Sequence, residues 1–167
     1  MFTRPGLALA AAVTLSGTWL VTPKGPALSA PDLLEIQSLY TQYNWSLDTG
    51  DAEAWAATFT PEGVFTIVDQ GTAGINAGHE ALRKFATGFH ANLGAHVKHW
   101  NTNLMITPSA TGATGATGQV YLVLVDFATK PASLLASSTY SDELVKTKVG
   151  WRFTNRTVKG DVVPTKP

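Results

Sequence analysis

The chain has 167 residues, 44% of them hydrophobic and 14% charged, and its 12 basic residues balance 12 acidic ones. That length and apolar content suit a globular chain with one sizeable core. A net charge of zero supplies no basic excess to neutralise phosphates, so nucleic acid is excluded as an expected partner. Cysteine is absent, which removes disulfides, a thiol nucleophile and cysteine metal sites.

Read from the start, the first thirty residues form a targeting segment. Met1-Phe2-Thr3-Arg4 is a short cationic beginning. Gly6–Val21 is an apolar run diluted by Thr14, Ser16, Gly17 and Thr18, and Ala27-Leu28-Ser29-Ala30 is a small-residue site. This order describes a secretory signal peptide over residues 1–30, with an uncleaved anchor as the alternative, although the run is short for a membrane span. Export to the periplasm or beyond is therefore expected, with the membrane met only through the signal peptide. Cleavage near Ser29 or Ala30 removes Arg4 and Lys24, leaving ten basic residues against twelve acidic, a net charge of −2. One domain then spans 31–161, and residues 162–167, with Pro164 and Pro167, form a loose tail.

Pro31-Asp32 opens a helix. Ile36, Leu39, Tyr40, Tyr43 and Leu47 recur along one helical face, and Thr49-Gly50 ends the element. A second short helix, Asp51–Phe59, carries Trp55 and Phe59 four residues apart, and Pro61-Glu62-Gly63 closes it as a turn. Val64–Val68 reads as a strand and Gly71–Gly78 as a loop. His79–Gly88 is a third helix with Leu82, Phe85, Ala86 and Phe89 inward. Four strands follow over His96–Thr107, Gln119–Ala128, Ser133–Lys146 and Trp151–Lys159. The Thr/Gly/Ala stretch Ser109–Gly118 reads as a hairpin tip, and Val149-Gly150 marks the last tight turn. Helices first and strands afterwards mean an α+β fold, with three helices on one face of a curved sheet and a pocket between the layers. Trp55, Phe59, Trp100 and Trp151 are the expected core aromatics, and Arg152 and Arg156 are expected to face solvent.

Two segments carry the chemistry. Tyr43-Asn44-Trp45-Ser46-Leu47-Asp48 ends the first helix, and His99-Trp100-Asn101-Thr102-Asn103 opens a strand. They offer a phenol, a carboxylate and an imidazole, the groups needed to take a proton from carbon and to steady the charge that develops. Strand alternation puts Val97, His99, Asn101, Asn103 and Met105 on one face, an odd set for plain core but suited to a polar pocket wall. The alternative is a solvated His99 at a sheet end. A carboxylate at a helix C-terminus is disfavoured by the helix dipole. Asp48 therefore either belongs to the turn Asp48-Thr49-Gly50-Asp51 that caps the second helix or reaches the imidazole of His99 and fixes its tautomer. Tyr43 and Asp48 lie about 140° apart around an ideal helix, so they share a pocket only if the helix breaks. Asp126 stands either at the sheet rim or as a second pocket acid. His96 and His99 point to opposite faces with no carboxylate at ligand spacing nearby, so no metal is expected.

Leu39-Tyr40, Tyr43, Leu47-Asp48-Thr49-Gly50-Asp51, Trp55 and Phe59-Thr60-Pro61-Glu62-Gly63 together resemble the opening of SnoaL-like domains of the NTF2-like superfamily. Gly78-His79-Glu80-Ala81-Leu82, His99-Trp100-Asn101-Thr102-Asn103, Tyr140 and Gly150-Trp151-Arg152-Phe153 extend the resemblance over residues 32–160. It implies an α+β cone, a strongly curved antiparallel sheet packed against three N-terminal helices, with a pocket at the wide end. Tyr43, Asp48 and His99 are similar to the set used by bile acid 7α-dehydratases. Asp48 and His99 match the pair of hexachlorocyclohexane dehydrochlorinase and scytalone dehydratase. Gly160 stands where the bile acid enzymes carry an arginine, and Leu47 where scytalone dehydratase has a tyrosine. The resemblance implies a lyase or isomerase without cofactor or metal, acting on a small apolar or aromatic, polycyclic substrate. His99 would be the base, Asp48 its orienter and Tyr43 a hydrogen-bond donor, with Asn101, Asn103, Asp126, Trp55 and Tyr140 against the substrate. A homodimer or homotrimer is compatible with it. The alternative is a non-catalytic binding or partner module on the same cone.

Overall fold

The computed structural model describes residues 27–110 and 112–161. The targeting segment up to Pro26 and the tail 162–167 lie outside the described residues. Helix α1 spans Ala30–Thr49 and starts where the sequence supplies a capping box: Ser29 caps the Asp32 N–H, and the Asp32 carboxylate accepts the Ser29 N–H. Gly50, left-handed at φ 79°, ends it by donating to the Leu47 and Ser46 carbonyls. The buried face is the expected one, with Ile36, Leu39, Tyr40, Tyr43 and Leu47. Asp32 also accepts from the Lys146 ammonium at 2.6 Å and the Trp151 indole N–H at 3.1 Å, stitching the helix start to the far end of the chain.

Helix α2, Ala52–Ala56, is capped by Asp51, whose carboxylate accepts the Ala54 N–H at 2.9 Å. It is shorter than expected because Phe59 already belongs to strand β1, Phe59–Ile67. Pro61-Glu62-Gly63 is no turn but an irregularity inside β1, whose pairing skips from Phe59 to Val64, a place where a strand tolerates proline. A 3₁₀ segment, Val68–Gly74, leads to the short strand β2, Ile75–Ala77, and to helix α3, Gly78–Leu93.

Strands β3 (Val97–Ser109), β4 (Gly112–Asp126), β5 (Ser133–Thr147) and β6 (Gly150–Gly160) complete a sheet of order β2-β1-β6-β5-β4-β3. Neighbours are antiparallel except β1 and β6, which run parallel, so the sheet is mixed. Strand β6 reaches β1 only after β2, α3 and strands β3 to β5, the long crossover that a parallel pair requires. The Gly-Ala-Thr stretch is not a loose tip; Gly115–Gly118 pair within the sheet. Small residues are needed there, because a Cβ on Gly118 would collide with the Tyr40 hydroxyl.

Two irregularities overturn face assignments made by simple alternation. Asn103 takes a left-handed φ of 57° at a register shift in β3, so beyond it Leu104 and Ile106 turn inward while Met105 is exposed. In β6 the register shifts beside Glu143 and Leu144, leaving Thr154 outside the ladder. Arg156 therefore faces inward with Trp151 and Phe153, fully buried, while Arg152 stays half-buried. Trp55, Phe59 and Trp151 are core, but Trp100 is 52% exposed. It lies on the outer face opposite His99, its ring 5.7 Å from that of Phe127.

Candidate active site

The helices and the inner face of the sheet enclose a cavity of about 1100 Å³. Its wall is mostly apolar: Leu47 from α1, Phe65 and Ile67 from β1, Phe85 and Phe89 from α3, Leu122 and Leu124 from β4, and Val158 from β6. Into this lining project His99 from β3 and the phenols of Tyr43 and Tyr140 from α1 and β5. Asp69, Gln70, Lys84, Asn92 and Asp161 also line it and are all exposed, so the outer rim is polar.

His99 and Asp48 meet. The Asp48 carboxylate lies 2.6 Å from His99 Nδ1 and also accepts the His99 backbone N–H at 3.1 and 3.2 Å. Three contacts from one carboxylate fix both the strand backbone and the ring. They assign the tautomer with the proton on Nδ1, which leaves Nε2 as the free lone pair. The His99 side chain is 2% exposed and the Phe89 ring packs 5.3 Å from it, so the imidazole has little freedom. Helix α1 does not break to make this pair. Tyr43 faces the cavity, and Asp48, further round the helix, reaches His99 from behind and lines a separate groove.

Beneath the phenols lies a buried charged network. Arg156 donates from Nε and Nη2 to the two Asp142 oxygens at 2.8 and 3.0 Å, and the Tyr40 hydroxyl donates to the same carboxylate. The guanidinium carbon sits 4.1 Å from the ring centroids of Tyr43 and of Tyr140. Burial pushes the Asp142 carboxyl up, and the Arg156 charge and the Tyr40 hydrogen bond oppose that shift. Burial likewise raises Tyr140 to about 12, against the pull of Arg156, with Asp142 and Asp48 adding to the rise. Tyr43 is raised well above the ordinary phenol range, first by burial and then by Tyr140. Its hydroxyl is sealed from solvent and, among the described residues, makes no hydrogen bond of ordinary geometry, although it interacts with the Tyr140 hydroxyl.

Several expected site residues stand elsewhere. Asn101 shares the inner face with His99, but it lies under α1 in the groove behind the Asp48–His99 pair, its amide buried and without a hydrogen-bond partner among the described residues. Asn103, at the bulge, is exposed on that same groove. Asp126 is at the end of β4, 3.7 Å from His96, and caps the Ala128 N–H at 2.7 Å. Trp55 is packed against Tyr43, Phe59, Phe65 and Phe85 as core. None of these four lines the cavity. Arg156 and Asp142 are the site residues that reading the sequence misses, because the bulge that turns Arg156 inward leaves no mark on residue alternation.

A curved sheet closed over three helices, with a hydrogen-bonded polar pair set into an apolar cavity, is a small-molecule-binding cone of the NTF2-like or cystatin-like kind. This chain belongs to the SnoaL-like family: the profile of the SnoaL-like domain matches residues 29–157. Solved structures agree. A variant of Rv3472, a protein of unknown function from Mycobacterium tuberculosis, is 28% identical with a TM-score of 0.70, covering 80% of this chain and 74% of its own. A protein of unknown function with a cystatin-like fold from Nostoc punctiforme is 27% identical with a TM-score of 0.71, over 84% and 97% of the two chains. A protein from Catenulispora acidiphila in complex with S-DNPA is 25% identical with a TM-score of 0.66, over 80% and 96%. Among curated proteins no sequence matches this chain.

Proposed function

We propose that the protein is a lyase or isomerase in which His99 removes a proton from carbon of a small, largely apolar substrate. The observation that carries this reading is the 2.6 Å contact between Asp48 and His99 Nδ1, made by a histidine that lines the cavity. With Nδ1 committed to the carboxylate, Nε2 is the basic atom available to a bound molecule. The C–H electron pair becomes the new π bond, and the proton comes to rest on Nε2, where Asp48 stabilises the imidazolium. In an elimination the leaving oxygen departs with its bonding pair and takes that proton, releasing water. In an isomerisation the proton returns to a different carbon. A tyrosine hydroxyl at the cavity floor donates a hydrogen bond to the oxygen that gains charge. The apolar wall excludes water and strengthens each of these interactions.

Proton abstraction can be read without the natural substrate. In D₂O, small aromatic ketones should gain deuterium at their acidic carbon, followed by mass spectrometry. His99→Ala should lower that rate by about a hundredfold or more, the usual contribution of a positioned general base. Equal rates in both proteins would leave a binding module on the same cone, a reading that the cavity volume and the S-DNPA complex of the Catenulispora acidiphila neighbour also suit. We infer in addition, from the order of residues 1–30, that the protein is exported.

A further inference from the structure

Two phenols stand at the cavity floor where a proton-abstraction site needs one donor. Tyr43 and Tyr140 meet edge-on with ring centroids 6.0 Å apart, and both line the cavity with His99. Their oxygens differ in access. The Tyr43 oxygen is sealed from solvent and interacts with the Tyr140 hydroxyl, which puts Tyr43 behind Tyr140. Under both rings lies Arg156, held by Asp142 with no exposed surface. A cation beneath a phenol stabilises charge drawn toward its oxygen and so makes the O–H a stronger donor.

Building on the proton-abstraction reading, we propose that Tyr140 is the catalytic hydroxyl that touches the substrate oxygen where negative charge develops, with Tyr43 standing behind it. The Tyr140 O–H bond stays intact through the step; its hydrogen bond shortens as the substrate oxygen gains charge. The oxygen of a matching substrate therefore sits between Tyr140 and His99, with its apolar body against Phe85 and Phe89.

A pair of probes tests this. 4-Nitrophenol, held above its ionisation pH, presents a charged oxygen on an apolar ring; 4-nitrotoluene has nearly the same shape without that oxygen. Tyr140→Phe should bind 4-nitrophenol about tenfold more weakly, Tyr43→Phe less than threefold more weakly, and both should keep their affinity for 4-nitrotoluene. Unchanged 4-nitrophenol binding in Tyr140→Phe, or an equal or larger loss in Tyr43→Phe, overturns the assignment. Retained 4-nitrotoluene binding reports an intact cavity. Should Tyr140→Phe lose it, the unaltered protein carries the test: a preference for 4-nitrophenol of tenfold or more is expected, and a ratio near one contradicts the proposal. These affinities do not depend on His99 acting as a base. A failed base would appear in the deuterium exchange with the preference intact, and a failed donor would appear in the reverse pattern.

Discussion

A guanidinium with no exposed surface loses all of its hydration, and Arg156 recovers part of that loss through two hydrogen bonds to Asp142 and the faces of four aromatic rings. The pair is stable as a unit and fragile when halved. Asp142→Ala should destabilise the protein by about 3–5 kcal/mol, because it leaves a buried cation without its counter-charge. The double variant D142A/R156M removes both charges and should be less damaging than D142A alone. Urea unfolding measures both. A double variant at least as unstable as the single would mean that packing, not charge, holds this part of the core. His99 contrasts with Arg156: Asp48 holds one of its nitrogens, and the ring lines the cavity rather than lying sealed beneath it.

Helix α1 presents Tyr43 to the cavity and Asp48 to His99, so whatever fixes its start also fixes the site. The Ser29–Asp32 capping box does this, tied down by Lys146 and Trp151. Ser29→Ala should cost about 1 kcal/mol of stability, the usual value of an N-cap, measured by thermal unfolding. Asp32 adds a pH dependence whose sign follows from its partners. Hydrogen bonds from Lys146, Ser29 and Trp151 hold its carboxyl well below its ordinary value of 3.8. Its contribution is therefore complete at neutral pH and is lost as pH falls below about 4. Asp32→Asn should flatten that acid-side slope, and an unchanged slope would contradict the role. The same helix shows what the sequence reveals. Its apolar spacing, its Pro31-Asp32 start and its Gly50 stop are local signals, and all three stand in the structure. The β3 and β6 bulges are set instead by pairing with strands far along the chain. Alternation alone therefore placed Asn103, Met105 and Arg156 on the wrong faces. The Asp48–His99 contact is one of two readings that the residues leave open for Asp48, and the family resemblance points to it; the Arg156–Asp142 network is not legible.

At the scale of the molecule, the cone works by division of labour. The sheet and α3 supply an apolar cavity of about 1100 Å³, and α1 and β3 bring one carboxylate–imidazole pair to its wall. Export, proposed from residues 1–30, predicts that protein from the extracytoplasmic fraction has an intact mass lacking the first thirty or so residues. Cleavage after Leu28 would keep Ser29 and the capping box, whereas cleavage after Ala30 would remove them, so the measured mass also decides whether Ser29 caps α1 in the mature chain. Full-length mass in the cytoplasm would contradict export. The proposed chemistry requires Asp48 and His99 to act as one unit. The most direct test is a double-mutant cycle on deuterium exchange with His99→Ala, Asp48→Asn and both together. Each single variant should lose most of the rate, and the double variant should be little worse than the poorer single. Losses that simply add, or full activity in His99→Ala, would contradict it.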